Sequence, residues 1–246
     1  MADTAATPSS GRIDIWWVDA RAVSSDLDAF DKEVGLLAPD EANDLSDMSR
    51  WARIVLRLGL SRYGDPALTQ CPIDKSKLGR PFLVGSGQPD FSLSHSATHI
   101  AVAISKTGRV GIDIEQVRPL KMSTERQRQI MSQAREHGLD WVELNAGFPD
   151  PAEFLSVWTK LEAVAKARGD GIGTLLSKLK QQPTQRPSQL FTRIETETVK
   201  VHSLSLADNF ASAVVRPKHS NEPAIHHLPR NLADLLCTSS IDKSSN

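Results

Sequence analysis

Val110-Gly111-Ile112-Asp113-Ile114-Glu115 is the stretch from which the rest of the chain can be read. Val110, Ile112 and Ile114 alternate with Gly111, Asp113 and Glu115, and the two-residue period of a strand puts both carboxylates on one face with the apolar residues buried on the other. Neighbouring carboxylates repel, and a divalent cation relieves that repulsion. Mg²⁺ typically takes one or two protein carboxylates and fills its other positions with water and phosphate oxygens. An exposed strand edge carrying solvated acids is the competing reading of the same residues.

Further along, Phe154, Leu155, Trp158, Leu161 and Ala165 recur at helical spacing and predict an amphipathic helix over Glu153 to Lys166, with Pro151 near its start. Glu162 and Lys166 stand four apart and so neighbour each other along one side. Taken alone they read equally as a surface pair worth about 0.2–0.5 kcal/mol. The glycines of Arg168-Gly169-Asp170-Gly171-Ile172-Gly173 can stop the helix and let the chain bend near a ligand. Upstream, Leu78-Gly79-Arg80-Pro81-Phe82 leads through the turn-rich Gly85-Ser86-Gly87-Gln88-Pro89 into Phe91-Ser92-Leu93-Ser94-His95-Ser96 and the apolar run Ile100 to Ile104.

Gly-Arg-Pro, Phe-Ser-Leu-Ser-His-Ser, Gly-Ile-Asp-Ile-Glu and Trp-x-x-x-Glu-x-x-x-Lys, in that order, make a sequence that resembles the 4'-phosphopantetheinyl transferase superfamily, most closely its longer, surfactin-type (Sfp-type) branch. The resemblance implies transfer of the phosphopantetheine arm of coenzyme A to a serine of an apo acyl or peptidyl carrier protein, with release of adenosine 3',5'-bisphosphate. It implies Mg²⁺, with Mn²⁺ as the alternative, bound by Asp113, Glu115 and Glu162. Glu162 would complete the metal site or serve as general base, and sequence leaves that choice open. Catalysis would rest on Glu162, Lys166 and Asp113. Coenzyme A would be held by Arg53, Arg80, Ser94, His95 and Lys166.

The resemblance also implies an α+β fold: a pseudodimer of two similar subdomains, each a small antiparallel sheet against a long helix, with the active site in the cleft between them. The expected divisions are a flexible N-terminus (1–11), an N-terminal subdomain (12–108), a C-terminal subdomain carrying the metal site (109–216) and an accessory tail (217–246). Each half supplies one substantial helix, Met48 to Arg62 and Glu153 to Lys166, and a strand after a comparable turn, Ile100 to Ile104 and Phe210 to Val215. In the first helix Arg50, Arg53, Arg57 and Arg62 read either as a solvated basic face or, at Arg53, as a phosphate contact.

The chain departs from the family pattern in three places. The family's helix usually reads Trp-x-x-Lys-Glu, and here Leu161 precedes Glu162 with Lys160 one place earlier, a rotation of about 100° on a helix. Leu36 to Asp44 is acidic where relatives often carry lysines. Glu136 is the closest candidate for a further family glutamate, one place off the usual spacing. Leu161 and the missing upstream lysines motivate the alternative, a catalytically impaired relative that binds coenzyme A or a carrier protein without transfer.

Composition is compatible with this reading. A formal net charge of -1 over 246 residues gives no global pull toward nucleic acid or anionic membranes, so phosphate recognition must be local. No stretch approaches the roughly 20 apolar residues of a membrane span. Met1 to Gly11 lacks the basic-then-apolar order of a signal peptide, and only Cys71 and Cys237 are present, which together favour a cytoplasmic protein without a disulfide framework; the pseudodimeric resemblance implies a monomer. His226-His227 has no metal-ligand partners at suitable spacing and reads as surface. Ser177 to Ser188 reads as a mobile loop whose basic residues either are simply solvated or meet an acidic carrier. Leu228, Leu232, Leu235 and Leu236 suggest a short docking helix within Ile225 to Cys237.

Overall fold

The computed structural model describes residues 11–37, 45–63, 65–139, 150–181, 189–228 and 232. The fold is α+β, with small, largely antiparallel sheets and helices packed on them. The chain divides into two compact units, one comprising residues 1–74, 81–107 and 220–246 and the other residues 75–80 and 108–219.

In the first unit, β1 (Ile13–Asp19) pairs antiparallel with β5 (His99–Ser105), which pairs antiparallel with β4 (Asp90–Ser96). The tight β4–β5 turn places Ala97 at φ 52°. Helix α1 (Ala20–Val34) follows β1 directly, capped at its start by the Asp19 side chain and at its end by Gly35 in the left-handed region, φ 66°. Helix α2 (Asp47–Ser61) starts at the Ser46 cap and lies across β1, β4 and β5. Ile54, Val55, Leu56, Leu58 and Leu60 bury the helix against Trp16, Val18, Phe91, Ile100, Val102 and Ile104. After the short helix α3 (Ala67–Gln70), the strands β2 (Ile73–Lys75) and β3 (Pro81–Leu83) form a two-stranded sheet.

The second unit is built on β6 (Gly111–Gln116), β7 (Arg193–Ile194), β8 (Glu197–Ser203) and β9 (Phe210–Pro217), antiparallel throughout in the order β6-β9-β8-β7. Helices α4 (Thr124–Glu136), α5 (Pro151–Arg168) and α6 (Gly171–Leu179) surround a core that includes Phe154, Leu155, Leu161, Val164, Leu175, Ala213 and Val215. Asp150 caps α5, Pro151 occupies its first turn, and Gly169 at φ 74° ends it by donating its N–H to the Ala165 carbonyl.

Several expectations change. The arginine-bearing helix is no solvated basic face: Arg53 is 6% and Arg57 2% exposed. Arg57 donates to the Cys71 carbonyl at 2.5 Å, and the Arg53 guanidinium lies 5.9 Å from the Phe91 ring centroid. Burying a guanidinium requires such partners, because its charge is costly to remove from water. The stretch expected as an accessory tail contributes β10 (Ala224–His226), which joins the first sheet parallel to β1, so that sheet is mixed rather than purely antiparallel. Ile225 is therefore in a strand rather than a docking helix, and of the leucines proposed for that helix Leu235 and Leu236 lie outside the described residues.

His226 is not an unpartnered surface histidine either. Its Nε2 is 2.6 Å from Asp14 Oδ1, and its ring stacks on Trp16 with centroids 4.9 Å apart. Of the loop expected over Ser177 to Ser188, Ser177, Lys178 and Leu179 finish α6, while residues 182–188 lie outside the described residues. The acidic stretch Leu36 to Asp44 lies outside them from residue 38 onward. No helix among the described residues is long and apolar enough to cross a membrane.

Candidate active site

The centre of the second unit's site is set by how closely β6 approaches α5. A Cβ at Gly111 would run into the carbonyl oxygen of Ala163 and come within 2.9 Å of the Ala167 methyl, so only glycine facing alanine permits this spacing. An isolated glycine in a strand is the signal that could have announced the contact. Strand β6 is buried on both faces from Gly111 to Ile114, and Asp113 is largely buried rather than lying on an open acidic face. Lys166, one residue before Ala167, then reaches β6: its Nζ donates to Asp113 Oδ1 at 2.7 Å and to the Ile112 carbonyl at 3.1 Å.

Glu115 lies two residues along the same face of the strand and is half-buried, its Oε2 3.0 Å from Arg118. Glu162 lies one turn before Lys166 on α5. Burial raises the Glu162 carboxyl above its ordinary 4.5, the Asp113 charge adds to the rise, Lys166 opposes it, and Glu115 adds a further push. The structure thus brings Asp113, Glu115, Glu162 and Lys166 into electrostatic range of one another. An all-oxygen carboxylate donor set, Asp113, Glu115 and Glu162, suits a hard divalent cation. With Asp113 turned to Lys166 and Glu115 to Arg118, no group of three His, Cys, Asp or Glu among the described residues is arranged to hold a metal ion.

Arg80 is placed by the turn Ser76-Lys77-Leu78-Gly79, closed by Ser76 N–H to the Arg80 carbonyl at 2.8 Å and Arg80 N–H to Ser76 Oγ at 3.1 Å. Its side chain donates to two backbone carbonyls, Lys166 and Val110. The resemblance assigns Arg80 to the cofactor; no local sequence signal announces these contacts, which join residues remote in the chain. Leu161 is fully buried, whereas Lys160 is half-exposed. Glu136 is exposed and accepts from Ser132 Oγ at 3.0 Å, and its charge is not among the causes of the Glu162 shift.

Arg53, Ser94 and His95 belong to the first unit. Strand alternation turns Ser94 and His95 to opposite faces of β4: Ser94 is buried, and His95 is exposed on the side shared with Phe91 and Leu93.

Residues 109–215, which hold the carboxylates and Lys166, match the family model described as the 4'-phosphopantetheinyl transferase superfamily. The chain is 34% identical over 101 residues to the "4'-phosphopantetheinyl transferase AcpT" of Salmonella typhimurium, a match covering 40% of this chain and 50% of that protein. It is 36% identical over 89 residues to the protein of the same name from Escherichia coli strain K12, covering 35% of this chain and 43% of that one. The chain spans about half the length of the curated relatives it matches. By family model and by relatives alike, the segment that carries this site is similar to a 4'-phosphopantetheinyl transferase domain.

Proposed function

We propose that the chain transfers the 4'-phosphopantetheine arm of coenzyme A to a serine hydroxyl of an apo acyl or peptidyl carrier protein. The observation that carries this reading is the gathering of Asp113, Glu115, Glu162 and Lys166 inside the segment that matches the transferase superfamily. In the reaction the serine oxygen forms a new bond to the β-phosphorus, the bond from that phosphorus to the bridging oxygen breaks, and adenosine 3',5'-bisphosphate leaves with the bridging oxygen.

Asp113, Glu115 and Glu162 would hold the cation, Mg²⁺ or alternatively Mn²⁺, which supplies charge neutralisation for the pyrophosphate. Lys166 is a point charge for phosphate oxygens and, through its hydrogen bond, orients Asp113. The raised carboxyl of Glu162 suits it to accept the serine proton; as a cation ligand it would leave that task to another group. Arg53, Ser94 and His95 are assigned to coenzyme A by resemblance; the same assignment for Arg80 competes with its contacts to the Lys166 and Val110 carbonyls. The same resemblance motivates the surfactin-type branch, a pseudodimeric α+β architecture with the metal-binding subdomain at 109–216, and a monomeric enzyme; the cysteine content motivates a cytoplasmic one.

A second reading, a relative that binds without transferring, is favoured by one observation: Leu161 sits fully buried where the family carries a lysine. Purified protein incubated with coenzyme A, Mg²⁺ and a panel of apo carrier proteins separates the two. A phosphopantetheine-sized gain in intact carrier mass, lost with chelator and with Asp113→Ala, supports transfer. Measurable coenzyme A binding with no gain on any carrier supports the binding-only relative.

A further inference from the structure

We infer that Arg80 is a positioning residue, whose side chain clamps the C-terminal end of α5 to the start of β6 and thereby holds Lys166 on Asp113. The inference rests on the transferase reading for its kinetic arm alone. The last carbonyls of a helix lack intrahelical partners and carry partial negative charge, so a cationic donor stabilises them. Arg80 meets this need directly. Its Nε donates to the Lys166 carbonyl at 2.7 Å, and its terminal NH2 group donates to the Val110 carbonyl at 3.3 Å. Lys166 closes the other side of the same join, donating from Nζ to Ile112 and Asp113. The backbone of Lys166 is therefore fixed by Arg80 and its ammonium by β6.

Two further features support the clamp. The turn from Ser76 to Gly79 is hydrogen-bonded at both ends of the Ser76–Arg80 pair, which gives the side chain a fixed base. The Arg80 stem lies against Gly169, where a Cβ would come 3.0 Å from the Arg80 Cδ and where φ 74° already favours glycine. One glycine thus ends the helix and makes room for the arginine that caps it. The planar fork of a guanidinium reaches two carbonyls at once, whereas a lysine offers one point of attachment.

The test compares wild type with Arg80→Lys, which keeps the charge and the stem, and with Arg80→Ala. Trace acetylation of lysine amines, read by peptide mass, reports Lys166 directly and needs no catalytic activity. Lys178 is the internal reference, since it pairs with Asp170 at 2.6 Å and has similar side-chain exposure. Faster labelling of Lys166 relative to Lys178 is expected in both variants. The transferase assay should show kcat falling roughly 10- to 100-fold, with the larger part of any loss in kcat/KM carried by kcat, as misplacement of Lys166 predicts. Unchanged Lys166 labelling in Arg80→Lys, or a raised KM with unchanged kcat, would overturn the clamp and make Arg80 a direct ligand contact. If the wild type transfers nothing, the transferase reading fails, and labelling still decides the clamp.

Discussion

Lys166 holds Asp113 rather than serving only the glutamate one helical turn away: its Nζ stands 2.7 Å from Asp113 Oδ1. The Asp113 side chain is 8% exposed and that of Lys166 30%, so the pair lies between surface and buried extremes. Lys166→Ala removes the cation from a cluster of three carboxylates. The expected cost is about 1–3 kcal/mol of stability, measured by urea unfolding, because the charges left behind lose their compensation. Transfer of phosphopantetheine should fall about 100-fold or more in kcat/KM.

The glycine that lets β6 meet α5 should tolerate no side chain. In Gly111→Ala the new methyl meets the Ala163 carbonyl and the Ala167 backbone, neither of which can swing aside. A loss of about 3 kcal/mol in unfolding free energy is expected. Gly173→Ala serves as the control: it lies within α6 with open space around it, and alanine there should stabilise by about 0.5–1 kcal/mol.

Restoring the family's lysine should harm the protein. Leu161→Lys places an ammonium where the leucine side chain is fully buried, losing apolar burial and stranding a charge. A loss of about 2–4 kcal/mol is expected. No gain in affinity for coenzyme A should accompany it, as measured by calorimetric titration; tighter binding would show that position 161 can reach the ligand.

The Asp14 cluster makes the first unit sensitive to both ends of the pH scale. Burial alone would raise the Asp14 carboxyl, but hydrogen bonds from His226 and Tyr63, with the charges of His226 and Arg12, outweigh it and hold it below its ordinary 3.8. A carboxyl lowered by folding stabilises the fold above its unfolded value and ceases to do so as pH falls through the folded one. Stability should therefore drop below about pH 4, and Asp14→Asn should flatten that drop.

The opposite sign applies to Tyr63, whose hydroxyl burial and the Asp14 charge push well above 10.0. Its contribution is complete below pH 10.0 and declines as pH rises further, because only the unfolded chain ionises readily there. Tyr63→Phe should cost about 1.5–3 kcal/mol at neutral pH, the loss of a hydrogen bond to a charged acceptor. It should also reduce the loss of stability between pH 10 and 11, followed by chemical denaturation at each pH.

Local pattern was enough to find the strand at Gly111, the helix carrying Glu162 and Lys166, and the order of segments that resembles the transferase superfamily. Each is a statement about neighbours in sequence: a period of two or of 3.6, a capping proline, a terminating glycine. Whether a polar residue is buried was not legible in the same way. On a helical wheel Arg53 and Arg57 read as a solvated face or, at Arg53, a phosphate contact, because nothing local announces Phe91 or the Cys71 carbonyl. His226 looked exposed because its partner Asp14 lies at the other end of the chain.

The sequence by itself determined which carboxylates share one side of β6 and which lysine stands a turn beyond Glu162, since regular elements repeat identically wherever they are packed. Only the tertiary structure decided that Lys166 bonds to Asp113, that Arg80 grips two backbone carbonyls, and that β10 joins β1. Those choices depend on distances between elements. At this site the distance between β6 and α5 is set by the absence of a side chain at Gly111 facing Ala163 and Ala167.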